Sequence, residues 1–405
     1  MMKNLKYITI AVFCLSIALI PGTLSAQSIF GLNFIGEHNL GGNGRYSATG
    51  YSGIAFPDTN SALPLNPASL SDLSSVTFSI FEMFNLSRVN TKQETSDQNR
   101  FVLPFASIAV PLKDGLVLGI GYKTRFFGRG NFTSEKEVDF TPQPRELYEF
   151  NSSLYTIPFT LAWRPLDWLR LGTALQIDRG SIKDEVYIYF DDPAYNSISS
   201  VRTRGFSGIS WSLSALVKLH PRVWIGASFD DKVDYSVEEV VQYSRWILNT
   251  ESTYDFTLPA AWSAGMAVAV TNRWWVSSSF WTREAPEPAG FEHLEGSLSD
   301  ESVISFGIER RTGSDGGKLS RMPLRFGYYE NRWHLEFPAG QQVVSRFFTI
   351  GSGFGMPGGP GGIDFTIEAG KIGSVSDNGI DEKVLRLGLS LDLSEKWTRR
   401  KDDRH

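Results

Sequence analysis

The sequence has almost nothing with which to do thiol or metal chemistry. Its single cysteine, Cys14, lies in an apolar run near the N-terminus, so neither a disulfide nor a catalytic thiol is expected in the folded product. The histidines His38, His220, His293, His334 and His405 are scattered, and no pair has metal-ligand spacing. No metal and no cofactor is expected. A Gly-x-Ser-x-Gly elbow is absent as well, and no enzyme activity is expected. Lys and Arg total 39 against 44 Asp and Glu, a net charge of −5. Without a basic stripe, no nucleic-acid partner is expected. Beyond residue 26 no apolar run reaches the roughly 20 residues that a membrane-crossing helix needs. No long linker or charge block divides the chain into soluble domains.

Residues 1–26 have the three-part layout of a secretory signal. Lys3 and Lys6 make a basic start, Tyr7 to Ile20 is almost wholly apolar, and Pro21-Gly22 ends that run. Leu24-Ser25-Ala26 then places small residues before Gln27. The apolar run is too short for a helical anchor, so cleavage and export are expected.

What the remainder does have is period two. Leu385, Leu387, Leu389, Leu391 and Leu393 alternate with Arg386, Gly388, Ser390 and Asp392. Ile209, Trp211 and Leu213 alternate with serines, and Leu169, Leu171 and Leu175 with Arg170, Gly172, Ala174 and Gln176. Alternate side chains of a strand point to opposite faces, so each segment has one greasy face and one small or polar face. The pattern persists over roughly 9–11 residues, enough to cross a bilayer, whereas soluble strands average about 5–6. Approximate strands fall at 75–88, 101–111, 115–126, 150–164, 168–178, 206–219, 222–231, 253–270, 273–283, 302–310, 322–330, 345–356, 363–373 and 383–393. Short links such as Pro165-Leu166-Asp167 and His220-Pro221 alternate with long polar loops at 127–149, 179–205 and 232–252. Aromatics near strand ends, among them Trp163, Trp168, Trp224, Trp274, Trp275, Tyr329 and Trp333, are expected in interface belts. These features predict an all-β fold: a transmembrane antiparallel β-barrel of about 14 strands over 75–397, with a charged tail at 398–405 and an outer-membrane location.

Residues 27–74 differ. They are rich in Gly, Asn, Ser and Pro and alternate little. A barrel of this size is too wide for its own side chains to fill, so the segment is expected to plug the lumen; the other reading is a periplasmic tail. Within it, Pro67 fixes its own backbone angle and turns Asn66 away from helix, Asn66 can bond nearby backbone, and Ala68 permits close packing. The trio reads as a hatch anchor or as a plain turn into the first strand. The inward polar set includes Lys123, Arg170, Gln176, Asp178, Lys218, Glu309, Asp364, Glu368, Arg386 and Asp392. Such charges are tolerated in a lumen and costly in lipid. They form a lattice that holds the plug, or a site for a ligand head group, with Arg170, Lys218, Arg386, Asp364 and Glu368 as candidates. Gly351-Ser352-Gly353-Phe354-Gly355 sits in an alternating strand and reads as close packing or curvature, not phosphate binding.

Several stretches carry a family pattern. Gly41-Gly42-Asn43-Gly44-Arg45, Gly53-Ile54-Ala55, Asp58 and Leu65-Asn66-Pro67-Ala68-Ser69-Leu70 resemble the start of the FadL/OMPP1/TodX family. Pro323 to Tyr328, Gly351 to Gly355, Ile363-Asp364, Glu382 and Leu385 to Trp397 are similar to the end of bacterial relatives of that family. The charged residues after Trp397 depart from barrels that end on an aromatic. The resemblance implies a barrel of 14 strands with an internal hatch and an opening through its wall. It also implies passive uptake of hydrophobic small molecules, such as long-chain fatty acids or aromatic hydrocarbons. A PorV-like branch of similar barrels serves protein secretion or surface assembly; secreted proteins would then be the partners, met by aromatics such as Tyr187 to Phe190 and Tyr243 to Trp246. Either way the barrel is surrounded by outer-membrane lipid.

Overall fold

Large apolar residues alternating with small or polar ones give each strand two unlike faces, and the computed structural model sorts those faces consistently. It describes residues 28–395 apart from 33, 58–59, 63, 92–94, 135–143, 191, 193, 245, 292–295, 313–321 and 357–360. The expected signal 1–26, Asp58, Trp397 and the tail 398–405 lie outside the described residues. Among the described residues the barrel strands are β1 Val76–Thr91, β2 Thr95–Lys113, β3 Leu116–Ser134, β4 Arg145–Leu166, β5 Leu169–Tyr189 and β6 Ile198–His220. Next come β7 (Val223–Asp230 and Val233–Tyr243), β8 (Trp246–Leu258 and Ala261–Ala269), β9 Trp274–Arg283 and β10 Glu301–Arg310. The last are β11 Leu324–Glu336, β12 Gln342–Gly355, β13 Gly362–Ser374 and β14 Ile380–Glu395. Each pairs antiparallel with the next, and β14 returns to β1 from Ile380↔Thr91 to Glu395↔Val76. The barrel therefore closes on 14 strands, as a lipid-embedded sheet must.

On β6 the outward Ile209, Trp211 and Leu213 are 64%, 41% and 49% exposed, whereas the inward Ser210, Ser212 and Ser214 are all at 8% or below. An exposed apolar surface of this extent is stable only against lipid. Phe348 and Ile350, Phe365 and Ile367, and Leu385 and Leu387 continue the band on β12, β13 and β14.

Three expectations are corrected. The segments 127–149, 179–205 and 232–252 are not long polar loops. Most of their described residues are strand, since β4, β5 and β6 run to 22, 21 and 23 residues. Their upper halves rise above the lipid, where polar side chains serve on both faces and the hydrophobic alternation fades. The aromatics near strand ends do not all form belts. Trp163, Trp168 and Trp274 are exposed, but Trp224, Trp275, Tyr329 and Trp333 are buried inward. Adjacent residues on a strand cannot share a face, so Trp274 and Trp275 had to part. Finally, the strands expected at 222–231 and 253–270 are both longer and broken, at 231–232 and at Pro259-Ala260. Pro259 cannot donate to a ladder.

The N-terminal segment lies within the ring of strands. A 3-10 turn at Ile29–Leu32 leads to the two-residue strand Glu37–His38, which pairs with Phe127 and Phe126 of β3. Helix α1, Gly44–Ala48, follows, with Asn43 capping the amides of Arg45 and Tyr46. A second 3-10 turn, Pro67–Asp72, delivers the chain to β1.

Candidate functional site

The segment is seated on the inner wall where the wall has no side chains. A Cβ at Gly172 of β5 would meet Ala68 N at 2.6 Å and Pro67 C at 2.8 Å. Gly226 faces Ile54-Ala55, Gly307 and Gly327 face Thr49-Gly50, and Gly351 faces Ala48 in the same way. The glycines on the polar faces of these strands thus leave room for a second backbone. Asn66 caps the Pro67–Asp72 turn: its Oδ1 accepts from Ala68 N at 3.0 Å, and its Nδ2 donates to Ile54 O and Ala215 O, each at 3.0 Å. Ala68 N also donates to Ser214 Oγ at 3.1 Å. Gly172→Val should destabilise the barrel by about 1–3 kcal/mol, the usual cost of overpacking. It should also expose 67–72 to protease; unchanged protection would separate the wall glycines from the seating of the turn.

Buried ion pairs then tie segment to wall. Arg45 binds Glu309 of β10 through Nε at 2.9 Å and Nη2 at 2.7 Å. Arg325 of β11 joins Glu309 at 3.0 Å and Asp364 of β13 at 2.6 Å. Glu37 pairs with Arg386 of β14, which also donates to Tyr329 Oη at 3.3 Å. Glu368 has no exposed surface and accepts from Ser47 at 2.6 Å, Tyr51 at 2.8 Å and Tyr329 at 2.9 Å. Asp72 accepts from Arg170 Nε at 2.8 Å, and the Arg170 guanidinium lies 4.5 Å from the Trp224 ring centre. His38 Nδ1 lies 2.9 Å from Glu301, and burial pushes the imidazole pKa below its usual value against the pull of that carboxylate. Of the head-group candidates, Arg170, Arg386, Asp364 and Glu368 are thus engaged by protein, while the Lys218 ammonium sits 5.7 Å from the Trp224 ring centre. Above this layer Leu32, Phe34 and Ile35 pack with Phe126, Phe150, Phe206, Phe256 and Phe291.

The wall itself is split at one seam. β2 and β3 pair only from Phe105↔Lys123 down to Lys113↔Leu116. Above Phe105, β2 stays on β1, and above Lys123, β3 stays on β4. Asn39 bridges the parted strands: Nδ2 donates to Pro104 O at 3.2 Å and to Thr124 O at 2.8 Å, and its amide donates to Arg125 O at 2.8 Å. A cavity of about 90 Å³ lies against the foot of this seam. Leu40, Leu65, Phe105, Trp281 and Val303 give it apolar walls, and Lys123, Arg125, Asp230 and Arg283 give it charge. Arg125 pairs with Asp178 at 3.3 Å and Arg283 lies 3.8 Å from Glu301. Lys123 has no hydrogen bond or ion pair among the described residues.

The family model described as BamG matches residues 1–239, which include the N-terminal segment and the strands as far as the second part of β7. The chain belongs to the BamG family. No curated protein matches this sequence. Among solved structures, a Pseudomonas aeruginosa FadL homologue is similar at 11% identity, covering 90% of this chain and 100% of that one, with a TM-score of 0.64. The Ralstonia pickettii toluene transporter TbuX is similar at 15% identity over 88% and 99% of the two chains, TM-score 0.61. The CymD monoaromatic hydrocarbon channel is similar at 14% identity over 90% and 100%, TM-score 0.58. These likenesses are of fold. This BamG-family protein has the fold of a FadL-like barrel, with the lipid-facing apolar band of a membrane barrel.

Glu309 and Lys123, expected to point inward, do so, but sequence reasoning missed Glu37, Arg45, Asp72 and Glu301, which complete the ion pairs of this BamG-family barrel. Arg45 and Asp72 lie in a segment without periodicity, so only their charge in a Gly- and Ser-rich stretch could have marked them. The seam at Phe105 was equally silent, because β2 and β3 keep their own alternation on either side of it.

Proposed function

We propose that this barrel is a passive outer-membrane conduit for small hydrophobic molecules, and that amphiphiles with one anionic head are its preferred class. The single observation that supports this is the coincidence of the split seam with the cavity behind it. Ligand sites are mostly apolar with a few convergent polar groups. Leu40, Leu65, Phe105, Trp281 and Val303 supply the first requirement, and Lys123, which Asp230 in the same lining attracts only from beyond bonding range, supplies the cation for the head. The solute enters from the outer side, the N-terminal segment shifts as the hatch, the Asn39 bridge yields, and the solute leaves through the seam. Among the described residues, two side-chain bonds and one backbone bond of Asn39 hold the bridge, fewer than hold the rest of the segment. The similar folds of TbuX, a toluene transporter, and CymD, a monoaromatic hydrocarbon channel, support this chemistry.

A second reading, a scaffold for protein secretion or surface assembly, has its own support. Glu82 lies on β1 between the inward Phe81 and Met83, so it faces lipid together with Ile80 and Phe84. No partner for it is found among the described residues. An ionisable group in the hydrocarbon is a mark of function, and a membrane-embedded partner protein would bring a donor to that depth. Native mass spectrometry of protein extracted gently from its own outer membrane separates the readings. A small apolar adduct displaced by oleate supports passage; a protein adduct with no small ligand supports the scaffold and removes the first reading.

A further inference from the structure

The outward face carries a second chemistry that neither reading uses. At the upper rim, Arg346 of β12, Lys371 of β13, Lys383 of β14 and Arg88 of β1 stand in one cross-strand row. The register sets Arg346 opposite Lys371, Lys371 opposite Lys383 and Lys383 opposite Arg88. All four are exposed on the lipid-facing side. Neighbouring strands lie about 4.8 Å apart, so the row spans roughly 15 Å. Like charges directly opposite one another in a sheet destabilise it, and here four follow in succession.

The row is only partly neutralised by protein. Arg346 pairs with Glu330 at 2.8 Å, Lys371 with Asp381 at 2.7 Å, and Arg88 with Asp97 at 2.6 Å. Two of these acids flank the row at its ends, and Lys383 in the middle has no hydrogen bond or close ion pair among the described residues, with Asp381 acting on it only at longer range. The depth of the row is set by what lies below it. One register step down stand Phe348, Ala369, Leu385 and Leu86, and the next step down holds Ile350, Ile367, Leu387 and Phe84. The cations therefore sit at the margin of the apolar band. They lie on the rim toward which β4, β5 and β6 extend furthest, opposite the two-residue turns at 114–115, 167–168 and 221–222, and the longer rim of an outer-membrane barrel faces outward.

We propose that this row binds the phosphate groups of a lipid in the outer leaflet, with acyl chains lying on Phe348, Ile350, Ile367 and Leu385. Phosphate oxygens accept strong charge-assisted hydrogen bonds from Arg and Lys, and basic clusters at a membrane surface recognise anionic headgroups. A lipid is favoured over a free anion because the apolar band continues directly beneath the cations.

The test uses the full barrel refolded in detergent and titrated with diphosphoryl lipid A, with dephosphorylated lipid A, and with inorganic phosphate as competitor, read by native mass spectrometry. Lys383→Gln disturbs no internal pair; Lys371→Gln/Lys383→Gln removes the middle of the row. Diphosphoryl lipid A should bind the wild type and lose about tenfold in affinity in the double variant, the equivalent of one charged hydrogen bond. The single variant should fall between. Dephosphorylated lipid should bind the wild type as weakly as the phosphorylated lipid binds the double variant, and inorganic phosphate should not compete. Heat-modifiable migration on gels checks that each variant is folded. Equal binding of the two lipids, or equal binding by wild type and double variant, would overturn the proposal. Effective competition by inorganic phosphate would overturn the lipid as the source of the phosphate.

Discussion

Replacing Glu309 by leucine should cost the folded barrel about 3–5 kcal/mol, the range for removing one partner of a buried pair. The carboxylate is shared by Arg45 at 2.7 Å, Arg325 at 3.0 Å and Arg311 at 3.3 Å. Glu309 itself is only 2% exposed. Truncation would leave guanidinium groups from the segment and from the wall facing one another without their common anion. The loss should be larger than for Glu309→Gln, which keeps an acceptor in place. It should be partly recovered by Arg45→Met in the leucine background, because the second change removes one of the stranded cations. Guanidinium titration of the barrel refolded in lipid measures all three. Trypsin cleavage after Arg45 would show whether the segment has come loose. A leucine variant as stable as the wild type, with Arg45 still protected, would mean that the packed glycine wall alone retains the segment.

Much of this fold was legible because lipid imposes a strict grammar. Ser210, Ser212 and Ser214 against Ile209, Trp211 and Leu213 leave one sorting of faces, and the strand count followed from counting such runs. Legibility ended where lipid ends. The upper parts of β4, β5 and β6 are wetted on one side and filled by protein on the other, so their polar residues carry no period-two hydrophobic signal. The inner site was half legible. Charges in a lumen are tolerated, so Arg170, Asp364, Glu368 and Arg386 could be assigned to the lumen. Their partners could not be named, since Arg45↔Glu309 and Glu37↔Arg386 join residues more than 260 positions apart. The Asn66-Pro67-Ala68 turn was readable as local geometry, but its fit against Gly172 needs two distant segments at once.

Lys123 is where the proposed passage is most exposed to test. Arg125, Arg170, Arg325 and Arg386 each face a carboxylate of the protein. Lys123 faces the cavity with none in bonding range, beside Phe105 and Trp281. A hydrophobic carboxylate that lays its chain on those rings and its head on Lys123 gains a charge-assisted hydrogen bond worth about 1.5–3 kcal/mol. Lys123→Met keeps the length and apolar stem of the side chain and removes only the charge. It should therefore weaken binding of such an acid by roughly 10–100-fold, while binding of toluene, which has no head group, should change little. The Trp281 indole lines the same cavity, so quenching of tryptophan fluorescence in the refolded barrel, with Trp281→Phe as the control, reports both ligands. Equal weakening of acid and toluene would mean that the substitution has collapsed the cavity rather than removed a head-group contact. Unchanged affinity for the acid would place its head elsewhere in the lumen. Loss confined to the acid would fix the orientation of the solute, with the charged end lodged at the foot of the seam and the tail free to leave through it.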